Sequence, residues 1–233
     1  PPPEAGRGTY VLRWRVASAD GHPVAGSLVF SVGEVTGAAP DTVQQTALFT
    51  VALRAAMVTA LVSSVGAAVF TASVAPVGAG IARMALGMAV LVLPFGLLWL
   101  GAEGMDRLGL PVSALAQGAV WAEAIRSPVL YTVLLAASAA ALAAAALLPG
   151  SRMAARAALG LAALSFPASG HALSAPTPLA LPLTALHGGA MLFWVGALIP
   201  LAAALTPPDA SARAALLRRF SRPAVAAVLV LIG

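Results

Sequence analysis

AALGLAALSFPASGHALSAPTPLALPLTALHGGAMLFWVGALIPLAAALTPP, residues 157–208, holds no charged side chain in 52 positions. A helix crosses the hydrocarbon core of a bilayer with about 20 apolar residues, so the run is too long for one crossing. Pro167, Gly170, Pro176, Pro178 and Pro182 interrupt it. Proline has no backbone N–H to give to a helix ladder, and the interruptions predict one span near 154–172 and another near 182–205.

The same arithmetic extends in both directions. No residue between Arg54 and Arg83 is charged, and Pro76, Gly78 and Gly80 mark a loop there, which predicts a first span at 48–73. Met84 to Ala102 is a second uncharged stretch of 19 residues, and Ser127 to Ser151 a third. A sixth span starts near Pro223 and is cut short at Gly233, while the first residue is Pro1, so the sequence reads as a piece of a longer chain. The expected fold is mainly α: a polytopic transmembrane bundle of five full spans plus a truncated sixth.

Composition agrees. The chain of 233 residues is 60% hydrophobic and 9% charged, with a mean hydropathy of +0.94. A soluble domain carries about 25% charged residues, so this balance excludes a disordered chain and argues against an ordinary soluble enzyme. All 13 basic residues are arginine, against 8 acids, for a net charge of +5. A basic balance is also the footprint of a nucleic-acid binder. Here the arginines are scattered between long uncharged runs, which suits membrane flanks, and no nucleic-acid partner is expected. There is no cysteine, which removes disulfides, thiolate metal sites and cysteine nucleophiles.

Residues 9–32 follow a different rule. Tyr10, Leu12, Trp14 and Val16 alternate with Val11, Arg13 and Arg15, and Leu28, Phe30 and Val32 repeat the pattern. Period two is the mark of a half-buried strand, and Ser18-Ala19-Asp20-Gly21-His22-Pro23 between them is rich in turn residues. Two strands alone are marginal in water, so they are expected to be the last strands of a larger β-sandwich. The predicted division is therefore a β-segment at 1–33, a linker at 34–45 and a membrane domain at 46–233.

Arginine bookkeeping orients the membrane domain. Loops on the side opposite the β-segment carry Arg83, Arg152, Arg156, Arg213, Arg218, Arg219 and Arg222 against Asp209. Membrane loops on the β-segment side carry Arg107 and Arg126 against Glu103, Asp106 and Glu123. Seven arginines against two make the first side cytoplasmic and the β-segment extracytoplasmic. Arg54, near the outer end of span one, is placed to snorkel outward.

Three histidines, His22, His171 and His187, then fall at or near the outer face. Imidazole and thioether are metal ligands, the thioether favouring Cu(I). His187, Met191 and Trp194 are spaced i, i+4 and i+7 on one helix face, and Gly188, Gly189 and Gly196 leave room for a neighbouring helix. These residues fit a copper site between spans four and five, built from His171, His187 and Met191. They also fit an interhelical hydrogen bond from His187 with Met191 as packing. Met84 and Met88, i and i+4 on span two, read as packing far from the histidines, with a copper exit site as the sharper alternative. Asp20 and His22 flank a glycine and could both face one Cu(II) ion, or Asp20 could bond its own turn. The cluster Arg218-Arg219-Phe220-Ser221-Arg222 is a positive-inside anchor. No phosphate loop, no Ser/His/Asp set and no paired carboxylates within the spans occur, so no enzyme activity is expected.

Two stretches carry a resemblance. Trp14-Arg15-Val16 through Ser18-Ala19-Asp20-Gly21-His22-Pro23-Val24 and Gly26 to Val32 resembles the C-terminal end of the CopC copper-binding domain. That resemblance implies Asp20 and His22 as Cu(II) ligands. The remaining residues resemble the CopD membrane family at Ser169-Gly170-His171-Ala172, at Leu186-His187 with Trp194-Val195-Gly196 and Leu198, and at Arg219-Phe220-Ser221. The family usually has an acid three residues before the second histidine, where this chain has Thr184. A CopC–CopD fusion of a bacterial inner membrane is implied, with copper as its cargo. Its partners would be the copper ion, the lipid bilayer and periplasmic copper-binding proteins, and its metal residues Asp20, His22, His171, His187 and Met191. The implied function is copper transport or homeostasis. The alternatives are a membrane chaperone that hands copper to a respiratory oxidase, and an electron-transfer protein with His171 and His187 as haem ligands.

Overall fold

The structure, a computed structural model, describes residues 6–17, 23–35, 42–148, 150–169, 175, 177–206 and 209–232. Two antiparallel strands, β1 (Gly8–Ala17) and β2 (Pro23–Val32), open the chain. Tyr10 pairs with Phe30, Leu12 with Leu28 and Trp14 with Gly26. Tyr10 and Phe30 stack with ring centroids 5.6 Å apart, as expected of aromatic cross-strand neighbours. The strands run further than the predicted alternation because the ladder continues to the pair Ala17 and Pro23. Leu12, Trp14, Val16 and Leu28 are exposed. The hairpin thus presents an uncovered apolar face, as two strands without a partner layer must.

The rest is helical: α1 (Thr42–Ser73), α2 (Ala79–Leu108), a short 3-10 turn (Val112–Ala116), α3 (Gly118–Ala124), α4 (Val129–Leu147), α5 (Arg152–Ser165), α6 (Ala180–Gly196), α7 (Leu198–Ala204) and α8 (Ala210–Ile232). Among the described residues, four helical stretches are long and apolar enough to cross a membrane: Leu48–Ser73, Ala79–Leu108, Val129–Leu147 and Ala180–Ala204. They correspond to the predicted first, second, third and fifth spans.

The other two differ from expectation. In place of a span over 154–172 stands α5, whose 14 residues reach about 21 Å at 1.5 Å per residue. That is short of the ~30 Å hydrocarbon core. Pro167, two positions beyond the last helical residue, has no N–H with which to extend the ladder. The sixth helix does not begin at Pro223. α8 starts at Ala210 and passes through that proline, which merely deprives the carbonyl four residues earlier, at Arg219, of its ladder partner. Asp209 caps the start: its Oδ1 accepts from the Ser211 N–H at 2.9 Å. Those bonds from Ser211 hold its carboxyl below the ordinary value.

Small side chains set the packing. α4 buries Ala136, Ala139, Ala140, Ala143 and Ala146 on one face, and α5 answers with Ala155, Ala158 and Ala162. Apolar helices in lipid gain little from hydrophobic segregation, so close backbone approach through small residues holds them together. A tight crossing joins α1 to α6. A Cβ added at Gly66 would lie 2.3 Å from the Gly196 Cα, and one added at Gly196 would lie 2.4 Å from the Val62 carbonyl oxygen. At the other end of α2, Gly109 adopts the left-handed conformation (φ 67°) that closes the helix, with the Leu110 N–H bonded to the Met105 carbonyl at 3.0 Å. α1 packs against α2, α4, α5 and α6 and is the axis of the bundle.

Gly66→Val should therefore push α1 off α6 and lower stability by about 1–3 kcal/mol, the usual range for overpacking. Gly87→Val has open space around the new side chain and should change stability little. Unfolding temperatures of the two variants in detergent micelles check this. Equal temperatures would show that the helices separate there without cost.

Candidate metal and polar sites

Of the five residues expected to hold copper, Asp20, His22 and His171 lie outside the described residues. His187 and Met191 are described, both on α6. They share a face at the predicted spacing, with His187 exposed, Met191 half-buried and Trp194 exposed. The neighbouring glycines do admit other helices. A Cβ on Gly188 would meet the Phe166 ring at 2.5 Å, and one on Gly189 would meet the Ala163 side chain at 3.3 Å. The end of α5 is thereby level with the turn of α6 that carries His187. Among the described residues, no three His, Cys, Asp or Glu side chains converge as a metal cluster.

The structure joins Met191 to a residue the sequence pattern left apart. A groove of about 360 Å³ between α2 and α6, floored by α1, is lined by Met84 and Met191 together with Thr59 and Ser63. Ser63 donates its hydroxyl to the Thr59 carbonyl at 2.8 Å, so its oxygen lone pairs stay available. Two thioethers and two hydroxyls with no formal charge make a soft, neutral lining. Met88, grouped with Met84 by spacing, instead packs on the core. The i, i+4 spacing correctly put both methionines on one face of α2, but the helix opposite that face is a tertiary fact.

A second pocket lies at the end of the bundle formed by the N-terminal parts of α1 and α4 and the C-terminal parts of α2 and α5. Arg54, Thr132, Ser165 and Ser169 line it among the apolar side chains of Met57, Leu61, Trp99 and Phe166. The Arg54 guanidinium sits 5.6 Å from the centroid of the Trp99 ring, a cation–π distance, and Trp99 is buried. Thr132 donates to the Ser169 hydroxyl at 2.9 Å, linking α4 to the segment after α5. Nearby charges are paired. Arg107 meets Glu103 at 3.0 Å and Glu123 at 3.6 Å, and Arg126 meets Glu123 at 3.7 Å. This chain of ion pairs ties the end of α2 to α3, where Gly104 also lets the Val120 carbonyl approach closely.

The model of the family described as CopC domain matches residues 1–33, the segment that contains the hairpin. No curated protein matches the chain, and no solved structure matches it.

The link between Thr132 and Ser169 is open to test. Thr132→Val keeps the shape, removes the donor and leaves the Ser169 hydroxyl without this partner, which should cost about 1 kcal/mol. Chemical denaturation in micelles measures it. An unchanged midpoint would show that the bond adds nothing to the docking of α5 on α4.

Proposed function

We propose that the chain handles copper at a bacterial inner membrane, capturing it outside and passing it along the membrane domain. The match of residues 1–33 to the CopC domain carries this reading. In it, Asp20 and His22 are ligands of an outer Cu(II) site completed by the rest of a sandwich, and His171, His187 and Met191 are ligands of a site near the outer interface. The membrane part is the CopD-like half of a fusion, built on the four long apolar stretches. Copper is cargo in this scheme and not a resident cofactor, and no enzymatic step is assigned.

Two observations support the intramembrane half. The contact of Phe166 with Gly188 brings the end of α5 to the level of His187, and His171 follows Phe166 by five positions. Met191 lies one turn beyond His187 and shares its groove with Met84. An ion taken by imidazole at the outer end would therefore meet a second thioether further along. Thioether is a ligand type that selects Cu(I), so the Met84–Met191 groove suits the reduced ion, whereas Asp20 and His22 suit Cu(II).

The double variant His171→Ala, His187→Ala should lose copper-dependent growth or copper accumulation while keeping the unfolding temperature of the native protein. Met191→Leu and Met84→Leu, which conserve volume, should each weaken the response less, and to a similar degree. Undiminished copper handling in the double histidine variant would remove the site.

Topology has its own test. The seven-to-two arginine split predicts that reporter fusions at Ser151 and Ala210 both report the cytoplasm. A periplasmic signal from either would overturn the orientation, and with it the placement of the histidines at the outer face.

A further inference from the structure

We infer that Arg54, Ser169 and Thr132 form an anion pocket that takes the oxygens of a phosphate ester at the end of the bundle carrying the N-terminal part of α1. The inference is independent of the copper reading and holds whether or not His171 and His187 bind metal.

Arg54 stands six residues into the apolar stretch Leu48–Ser73, about 9 Å along the helix. A guanidinium at that depth is costly without a counter-charge. Its side chain is exposed at the bundle surface with the guanidinium over the Trp99 ring, while the carboxylates Glu103 and Glu123 are held by Arg107 and Arg126. The positive charge disfavours a metal cation in this pocket and favours an anion. The hydroxyls agree. Thr132 spends its hydrogen on Ser169 and Ser165 donates to the Ala162 carbonyl at 2.7 Å, which leaves the Ser169 hydrogen for an incoming acceptor. Arg54 and Ser169 thus supply donors, Thr132 orients Ser169, and the buried indole of Trp99 walls the site.

Size narrows the ligand. The cavity of about 40 Å³ has room for two or three water-sized atoms, at roughly 10–15 Å³ each. Two phosphate oxygens fit, and the ester substituents must remain outside the mouth. The planar guanidinium fork matches two oxygens of one phosphorus better than it matches a spherical ion. The phosphate could belong to a phospholipid headgroup at the interface or arrive as free phosphate, and the two sources separate in one experiment. Simple outward snorkelling of Arg54 is the competing account, and it requires no role for Ser169.

The full chain, purified in detergent and stripped of lipid, is titrated with phosphatidylglycerol and followed by native mass spectrometry. The native protein should hold one tight lipid. Arg54→Gln should weaken that binding at least about tenfold, the loss of a charge-assisted hydrogen bond, and Ser169→Ala should weaken it measurably. Arg83→Gln, in an arginine outside the pocket, should not. Diacylglycerol, which lacks the phosphate, should not compete. Displacement by inorganic phosphate would support the pocket with free phosphate as a ligand, and failure to displace would support it with the lipid as the source. Equal affinity in Arg54→Gln and Arg83→Gln, competition by diacylglycerol, or displacement by chloride as readily as by phosphate would overturn the proposal. Should Arg54→Gln not fold, Ser169→Ala decides alone, because unchanged binding there leaves only snorkelling.

Discussion

In hydrocarbon, a backbone N–H or C=O must find its partner inside the chain, because lipid offers none, and an uncharged run of 52 residues meets that demand at its sharpest. In hydrocarbon only helices and closed barrels meet that demand, and helices meet it within one segment. The bundle follows from this constraint. At Pro167 and at Pro178, where proline removes a donor, the chain turns, and α6 begins at Ala180. Where the donors are intact, as in Thr42–Ser73, the helix runs for 32 residues.

Once helices form, lipid as a solvent gives them little reason to separate apolar from polar faces, and shape decides how they pair. Gly66 against Gly196 and Gly188 against Phe166 bring backbones or rings within contact, and the alanine faces of α4 and α5 do the same more evenly. The consequence is that α1 becomes an axis on which α2, α4, α6 and the segment after α5 set their side chains. Thr59 and Ser63 of α1 floor the groove shared by Met84 and Met191, and Arg54 of the same helix opens the pocket with Thr132 and Ser169. One helix thus borders an uncharged groove lined by two thioethers and a pocket lined by a guanidinium and three hydroxyls.

The hairpin obeys the other solvent. Its period-two pattern makes sense only with a covering layer, and Leu12, Trp14, Val16 and Leu28 are left uncovered. Residues 1–33, which contain this face, are similar to the CopC domain. Copper capture at Asp20 and His22 would then depend on strands that orient the loop between β1 and β2, because two ligands alone do not complete a coordination shell.

Several features were readable from residue order alone: the mainly helical fold, its four long apolar stretches to within six residues at each end, the hairpin, and the shared face of His187 and Met191. Each depends on a local rule, the length of an uncharged run or a period of 2 or 3.6, and local rules are written along the chain. The length of α5 and the start of α8 were misjudged because hydropathy marks where a helix is tolerated, while capping by Asp209 and the missing N–H of Pro167 decide where it begins and ends. The partnership of Met84 with Met191, and of Arg54 with Ser169, was not legible at all. Those pairs are separated by more than 100 positions, and nothing in either neighbourhood encodes the other. Each pair lines one pocket because small residues let α1, α2, α5 and α6 approach closely in one arrangement, and only the tertiary structure decides which faces that arrangement brings together.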